Sequence, residues 1–472
     1  MGNKSLNKAS QNASKSSHIH IINDKDVIQY LTDCNLPKDG KEIDFDFENT
    51  VIKIKDVNNP IKIVIAVDGG YTQVNVKKNF PSSEIAFFQF GGLFFEIEHL
   101  EAISKKPFIF PEDMAKFKDL ERYKLVLPIK NITHKAKGSL VDSIRIAIFD
   151  FFIEKKFIET LDWFIYEEYN ELLDSYDLAS CPNPECKKTS IPLNKNSQSE
   201  KYTYECPECK SVLYLTDIFR LHEKIDEEIG AESILGLVTN LIEHFILIHS
   251  IKYIYEHVPS RLEQILFIKD GPLAFFDRTA NMHNPMRHLC NFLQKKHNLY
   301  LVGIEKSGLF VDHASAITKD YYDESNIEKI PNVARTKPNL DESKSRLKPG
   351  DIFLLKNDYI YKYIMPGDPA IPYARSSYYS GKLIYKSRNN TVFVATIPIS
   401  NYKIILNPTK KDFKNLDVIL LNLEKLKCDM YDNSIIPVAL ADHLVSLANH
   451  PSSAILEKFA INRVVHKSSQ YK

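Results

Sequence analysis

Two apolar runs that each end on Asp-Gly constrain this chain more than any other feature. Residues 63–71 read IVIAVDGGY, and residues 265–276 read ILFIKDGPLAFF. Short apolar runs are the signature of strands buried on both faces. An acid followed by glycine then sets Asp68 and Asp270 at strand ends beside unobstructed backbone. Two such strands in one sheet bring both carboxylates to a shared site, the arrangement used by metal-dependent phosphoryl chemistry. Asp-Gly after a strand is also an ordinary turn signal, and for either stretch alone the turn is the commoner outcome. The pair, joined to the acids and the lysine met further along, favours the site.

With 472 residues, the chain has room for two or three domains, or for one large domain carrying insertions. Lysine and arginine number 61, as do aspartate and glutamate, so the formal charge is zero. A protein that held nucleic acid by its overall field would be basic; DNA bound here needs a local groove or delivery by a partner. The most apolar helical stretch, 237–255, is interrupted by Asn240, Glu243, His244, His249 and Lys252, which argues for a core helix and against a membrane span. The expectation is a soluble, cytoplasmic protein without membrane association. The first 18 residues lack the apolar core of a signal peptide and read as a polar disordered tail. Leu6 stands where a myristoylation signal requires Ser or Thr. Seven cysteines, four of them clustered, point to a reducing compartment and a metal knuckle.

In chain order, a helix is expected over 24–32 at the edge of the core. Strand-like segments follow at 51–57, 63–71 and 72–77, and at 84–97 with Gly91-Gly92 as a bend or bulge. Residues 111–170 are helical in character, with Asp142 and Arg145 spaced to pair. Helices are expected over 217–228, 232–257 and 284–297, and a strand over 299–314 that leaves through Lys306. Residues 320–348 are charged and turn-rich, consistent with a mobile loop. Short strands follow in DIFLL, YIYKYI, GKLIYK, TVFVATIPI and YKIIL, and two helices close the chain, the first from Pro437 with Asp442 and His443. Glu243, on the helix before the Asp270 strand, is placed as a third acid; a surface position on the polar stripe is the alternative. Lys306 beside acids can contact a scissile phosphate, although a single lysine is more often solvated. A lone His443 on an amphipathic helix is more often packed or capping than catalytic.

Cys181-x4-Cys186 and Cys206-x2-Cys209 form the most specific local signal. Two close thiolate pairs can close a tetrahedral Zn²⁺ shell, and CPNPEC and CPEC supply the tight turns. With all four positions filled by protein, such a zinc is structural. The expected organisation is therefore a tail (1–18), an N-terminal part of the main domain (19–177), a zinc-ribbon insertion (178–214) and a C-terminal part (215–472). The fold class is α/β, a mixed sheet flanked by helices. An aspartate-bearing strand with two antiparallel neighbours is the opening of an RNase H-like sheet, although many mixed sheets open the same way.

AVDGG at 66–70, a glutamate helix, KDGPLA at 269–274, VGIEKS at 302–307 and PVALADH at 437–443 together resemble the ordered motifs of the NurA nucleases. The likeness spans roughly residues 60–450 and lies in the order of the motifs more than in any one. It implies a manganese-dependent DNA-end-processing nuclease with an RNase H-like core, acting as a homodimer with the hexameric translocase HerA. Carried over, it makes Asp68 the first ligand of a catalytic Mn²⁺ or Mg²⁺, Asp270 the second aspartate, and Asp442 or His443 the terminal contributor. Lys306 becomes a basic residue near the phosphate, and Glu243 the helical acid, with Glu232 or Glu256 as replacements. Asp68 would reach two ions held about 3.5–4 Å apart. Where many relatives carry serine this chain has Gly70, so no hydroxyl acts there. The zinc knuckle lies outside the family's minimal domain and suggests a bacterial form, with anti-phage defence as an analogy.

Two rivals stand beside this. An actin-like ATPase or sugar kinase would use VDGGYTQV as a phosphate loop, but it needs further glycine-rich loops. This chain has 15 glycines and Asp-Gly-Pro at the second site, where proline has no amide to donate. A non-catalytic zinc-ribbon adaptor bridging a translocase and DNA would have no reason to keep acids on both strands.

Overall fold

A computed structural model describes residues 23–34, 43–77, 82–98, 120–135, 138–318, 346–365, 367, 372–427, 435–447 and 452–464. The tail at 1–18 and most of the 320–348 segment lie outside them. The strands of the main sheet are β1 (Ile52–Lys53), β2 (Ile63–Lys77), β3 (Ser83–Glu96) and β4 (Leu120–Lys130). Four short strands of the cysteine region follow: β5 (Ser175–Ser180), β6 (Thr189–Asn194), β7 (Thr203–Glu205) and β8 (Val212–Tyr214). The main sheet then resumes with β9 (Ile265–Asp270), β10 (Tyr300–Glu305), β11 (Asp351–Leu354), β12 (Ser380–Lys386) and β13 (Val392–Pro398). Nine strands join in the order β1-β11-β12-β13-β10-β9-β2-β3-β4. Only β2, β9 and β10 run parallel to one another; the remaining neighbours are antiparallel. The apolar runs of β2, β9 and β10 thus occupy the centre, where both faces are covered.

Alternate residues of β2 serve different layers, as the period of a strand requires. Ile63, Ile65 and Val67 pack with Phe88, Phe90 and Leu125 beneath α2 (Leu140–Glu154), α3 (Phe157–Ile165), α4 (Leu235–His257) and α5 (His283–Lys296); α1 is the isolated Lys25–Asp33. Val64 and Ala66 pack with Ile268, Val302 and Ile304 on the other face, under α7 (Leu416–Lys425) and α8 (Ile436–Val445). There α6 (Leu309–Thr318) belongs to a third cluster with Phe353 and Tyr359, and α9 (Ser452–Val464) sets Ala460 on Val74 and Val76. By length and composition, residues 232–257 could cross a bilayer, but two thirds of the apolar window is buried inside the protein. It is the central helix of the first layer.

Several expectations are corrected. The strand carrying Asp68 does not end there: β2 continues through Gly69 and Gly70 to Lys77, with Asp68 opposite Gly91 and Val67 opposite Gly92 in unbroken register. The irregularities fall at Asn75/Lys77 and Glu84/Ile85 instead of at the paired glycines. Part of the expected helical region is strand β4, because Tyr123, Leu125, Leu127 and Ile129 alternate with exposed Arg122, Lys124 and Val126. Pro128 fits because β4 is an edge strand. After Glu305 the chain turns at Gly308, whose φ of +101° suits glycine, and residues 309–318 form α6 where a continuing strand was expected.

YIYKYI and YKIIL are helical turns. In the first, Tyr359 and Tyr363 sit one turn apart on the same aromatic cluster. In the second, Asn401 caps the start through the Ile404 amide. Residues 217–228 hold two short 3₁₀ turns broken at left-handed Arg220. Helix α1 buries none of its side chains, so it does not pack on the core.

Candidate active site

Strands β2 and β9 pair in parallel up to Val67 opposite Lys269. The next residues in register are Asp68 and Asp270, so two acids stand side by side where β9 stops. Asp270 lies opposite Ile304 of β10, and Lys306, two residues on, places its Nζ 2.8 Å from Asp270 Oδ2. Helix α8 packs over β2, β3 and β9 and brings Asp442 into electrostatic range of Asp68 and Lys306. Asp442 is exposed. His443 follows it on the same helix, but its side chain lies outside the described ones.

Glu243 arrives from α4 on the opposite face. It is buried, and its Oε2 accepts from Lys269 Nζ at 2.6 Å. Lys269 also donates to the carbonyl of Asp270 at 2.8 Å. Gly69 leaves the room this requires: a Cβ there would lie 2.5 Å from Phe90 Cδ1 and 3.2 Å from Glu243 Oε1. The two alternative acids are elsewhere. Glu232 sits exposed in a 3₁₀ turn, and Glu256 is exposed and paired with Lys252.

Asp68 stands at the centre of the group's electrostatics. Its side chain is buried; Oδ1 accepts from the Gly69 amide at 2.7 Å, while Oδ2 is buried with no hydrogen-bond partner. Burial, then the neighbouring carboxylates of Asp270 and Glu243, push its pKa up to about 8, with Lys306 opposing and Asp442 adding. Burial also raises Glu243, against the pull of Lys269. Burial alone would lower Lys306, but Asp270, Asp68 and Asp442 outweigh it and hold the ammonium above its ordinary value. Four carboxylates thus neighbour two ammonium groups, and one buried carboxylate oxygen, Asp68 Oδ2, has no partner. Hard oxygen donors with surplus charge fit a divalent cation such as Mn²⁺ or Mg²⁺. The acids are not drawn around one point, however. Among the described residues only the cysteine set has all its ligand atoms within 4.8 Å of one another.

Lys269 is the functional-site residue that sequence reasoning passed over. Its signal was present: a lysine inside a strand with every other face apolar must find a buried anion. His244 is a further neighbour, fully buried with its ring tilted against that of Phe275 at 4.1 Å, its Nδ1 donating to the Asn240 carbonyl at 2.6 Å. Burial and the Lys269 charge hold its pKa well below the usual value, so the ring is neutral.

The four cysteines sit at the ends of two hairpins, β5–β6 and β7–β8. Cys181 Sγ lies 3.7 Å from Cys209 Sγ, and Cys186 Sγ 3.8 Å from Cys206 Sγ. A tetrahedral zinc with Zn–S bonds of about 2.3 Å places its sulfurs about 3.8 Å apart, so the donor set fits Zn²⁺. Hydrogen bonds from the Ser211 hydroxyl and backbone pull the Cys209 thiol down to about 6, easing thiolate formation. The hairpins are fused to the first helical layer: Cys181, Cys206, Leu193 and Tyr204 share its core, and Tyr166 Oη donates to the Leu193 carbonyl at 2.9 Å. Arg145 of α2 ties in the segment after β8, pairing through Nη2 with Asp217 at 2.7 Å and through Nη1 with Asp142 at 2.7 Å. The expected Asp142–Arg145 contact is therefore structural.

Fold and sites together define a mixed α/β protein with a partly buried acid–lysine cluster where its central parallel pairing stops and a separate four-cysteine centre. No family model matches the chain, and no curated protein does. Two solved structures are similar over 97% of this chain and 99% of their own: the NurA nuclease from Sulfolobus solfataricus, with a TM-score of 0.32 and 9% identity, and a second NurA structure, with a TM-score of 0.31 and 12% identity. Scores of this size carry no functional weight.

Proposed function

We propose that this chain is a metal-dependent DNA nuclease of the NurA type, hydrolysing phosphodiester bonds at the Asp68 site. The observation that carries the reading is the unpartnered, buried Oδ2 of Asp68 within a group of acids that holds more negative charge than its two lysines offset. The strand block β4-β3-β2-β9-β10, antiparallel through its first three members and parallel through its last three, supports an RNase H-like core. A bound divalent cation would polarise the phosphate and activate water.

The chain's own residues have distinct tasks. Asp68, Asp270 and Asp442 would supply oxygen donors. Lys306, a quarter exposed and held by one ion pair, is free to turn toward a phosphate oxygen. His443 follows Asp442 on α8 and would serve as a proton carrier. The partnership with a HerA-like hexameric ATPase, homodimer formation and a role in DNA end processing or anti-phage defence belong to the same reading. The straight passage of β2 through Gly69-Gly70 argues against the kinase alternative, whose phosphate loop needs the chain to turn there.

The test is degradation of linear duplex and single-stranded DNA with Mn²⁺, with Mg²⁺ or with EDTA, with and without a HerA-like ATPase. Metal-dependent cleavage lost in both Asp68→Ala and Asp270→Ala is the expected result. An inactive wild type under every condition, or cleavage that survives Asp68→Ala, would overturn it.

A further inference from the structure

Resting on the nuclease reading, we infer that the exposed face of β4 is the track along which a DNA strand reaches Asp68, with Arg122 and Lys124 holding backbone phosphates that flank the scissile one. The sheet register sets the two ends of this track. Asp68 stands opposite Gly91, and Gly91 stands opposite Arg122. Directly opposite residues share a face of the sheet, so Asp68 and Arg122 lie on one side, two strands or about 9–10 Å apart. The β3 residue between them has no side chain. Two residues along, Gly70 is opposite Gln89, and Gln89 is opposite Lys124. Helix α8 covers β2 and β3 on this side, and Arg122 and Lys124 stay exposed beside it.

Neither cation has an acidic partner among the described residues. The other edge of the sheet differs, since Lys53 of β1 is paired with Asp351. Charged side chains on an edge strand also deter pairing between sheets. That role accepts either sign and needs no alignment with an active site; here both residues are cationic, and their rows lead to Asp68 and to Gly70 just beyond it. A chain with 61 basic and 61 acidic residues has no net field to draw DNA in, so a local strip of unpaired cations supplies the attraction. Contacts of this kind go to phosphates and carry no base information. The track therefore takes DNA of any sequence.

The experiment measures binding of a fluorescein-labelled single-stranded oligonucleotide to the full chain carrying its zinc, over a series of salt concentrations and without added Mn²⁺ or Mg²⁺. Each phosphate contact contributes about 0.7 to the slope of log affinity against log salt. The double variant Arg122→Gln with Lys124→Gln should lower that slope by about 1.4 and weaken binding by roughly tenfold or more at 0.1 M salt. Arg122→Lys keeps the charge and should keep the slope. Lys295→Gln, in the exposed last turn of α5, is the control and should change neither quantity. In cleavage assays the double variant should raise KM more than it lowers kcat. An unchanged slope in the double variant, or an equal loss in Lys295→Gln, would overturn the inference. The nuclease reading would survive that result if Asp68→Ala still abolished metal-dependent cleavage. A wild type that binds DNA through Arg122 and Lys124 yet never cleaves it would remove the nuclease reading and leave the track in place.

Discussion

The Lys306 ammonium lies 2.8 Å from Asp270 Oδ2, while Lys269, one residue before that aspartate, is locked into Glu243 at 2.6 Å. Two lysines a short distance apart therefore do different work. Lys269 is almost fully enclosed; the Lys306 side chain is 26% exposed and can exchange its partner. Replacing Lys306 by Met should lower kcat for DNA cleavage by about tenfold or more, because a charge aimed at the developing phosphate charge acts in the transition state. The partly exposed ion pair itself is worth about 1 kcal/mol or less, so the urea midpoint should barely move. Steady-state kinetics beside a denaturation curve separate the two effects. An unchanged kcat would remove Lys306 from the chemistry.

The raised pKa of Asp68 has a consequence for stability. Its ordinary value is 3.8 and its folded value about 8, so between these limits the folded chain keeps a proton that the unfolded chain has released. Stability from this group is complete below about pH 4 and is lost as pH rises through about 8. In buffer without added divalent ions, Asp68→Asn should match the wild type below about pH 4 and exceed it near pH 9 by on the order of a few kcal/mol. Added Mn²⁺ should raise the wild-type midpoint at high pH and leave the variant unchanged. Parallel midpoints for the two proteins from pH 5 to 9 would mean that the Asp68 carboxyl is not desolvated.

Much of this architecture could be read before any coordinates, for local reasons. The apolar runs mark the central strands because a run apolar at every position must be covered on both faces, and paired thiols in proline-bounded turns announce a metal. The failures are equally physical. Gly69-Gly70 resembles a strand end because glycine permits a turn, yet the ladder to β3 continues, and the glycines serve the close approach of Phe90, Glu243 and the Val445 carbonyl. The Lys269–Glu243 pair joins residues 26 apart on different elements, and only tertiary packing reveals it. Strand β4 and the turn at 402–406 were misread because their apolar residues fit more than one period over so short a window.

Gly303 ties the loop after Asp270 to the neighbouring strand. A Cβ at this position would lie 2.5 Å from the Gly271 carbonyl oxygen, 2.6 Å from Thr396 Oγ1 and 2.9 Å from the Leu273 amide. Two of these are backbone atoms that cannot rotate away. Gly303→Ala should therefore cost about 1–3 kcal/mol, as overpacking does, and lower activity by shifting the segment that follows Asp270. Gly236 of α4 provides the control, since a Cβ there meets nothing within 4 Å. Gly236→Ala should raise stability by about 0.5–1 kcal/mol through helix propensity. Equal midpoints for the two variants would show that the close approach at Gly303 relaxes freely.

The cysteine centre should behave as part of the core. Cys206 is fully buried in the same cluster as Phe164, Phe219 and Phe245, and the Tyr166 hydroxyl, 2.8 Å from that of Tyr204, links the second hairpin to α3. A zinc ion holding four thiolates supplies folding free energy directly, since the unfolded chain has no formed site. Metal analysis of the purified chain should find about one zinc per chain. Cys206→Ser should lose that zinc and at least several kcal/mol of stability, with α2 and α3 losing amide-exchange protection together with the hairpins. If the hairpins were an independent appendage, exchange would rise in residues 175–214 alone and the main transition would keep its midpoint. Continuity of the buried cluster from Cys206 to Phe245 predicts a single cooperative loss, and therefore an α4 wall beside Asp68 that weakens when zinc is removed.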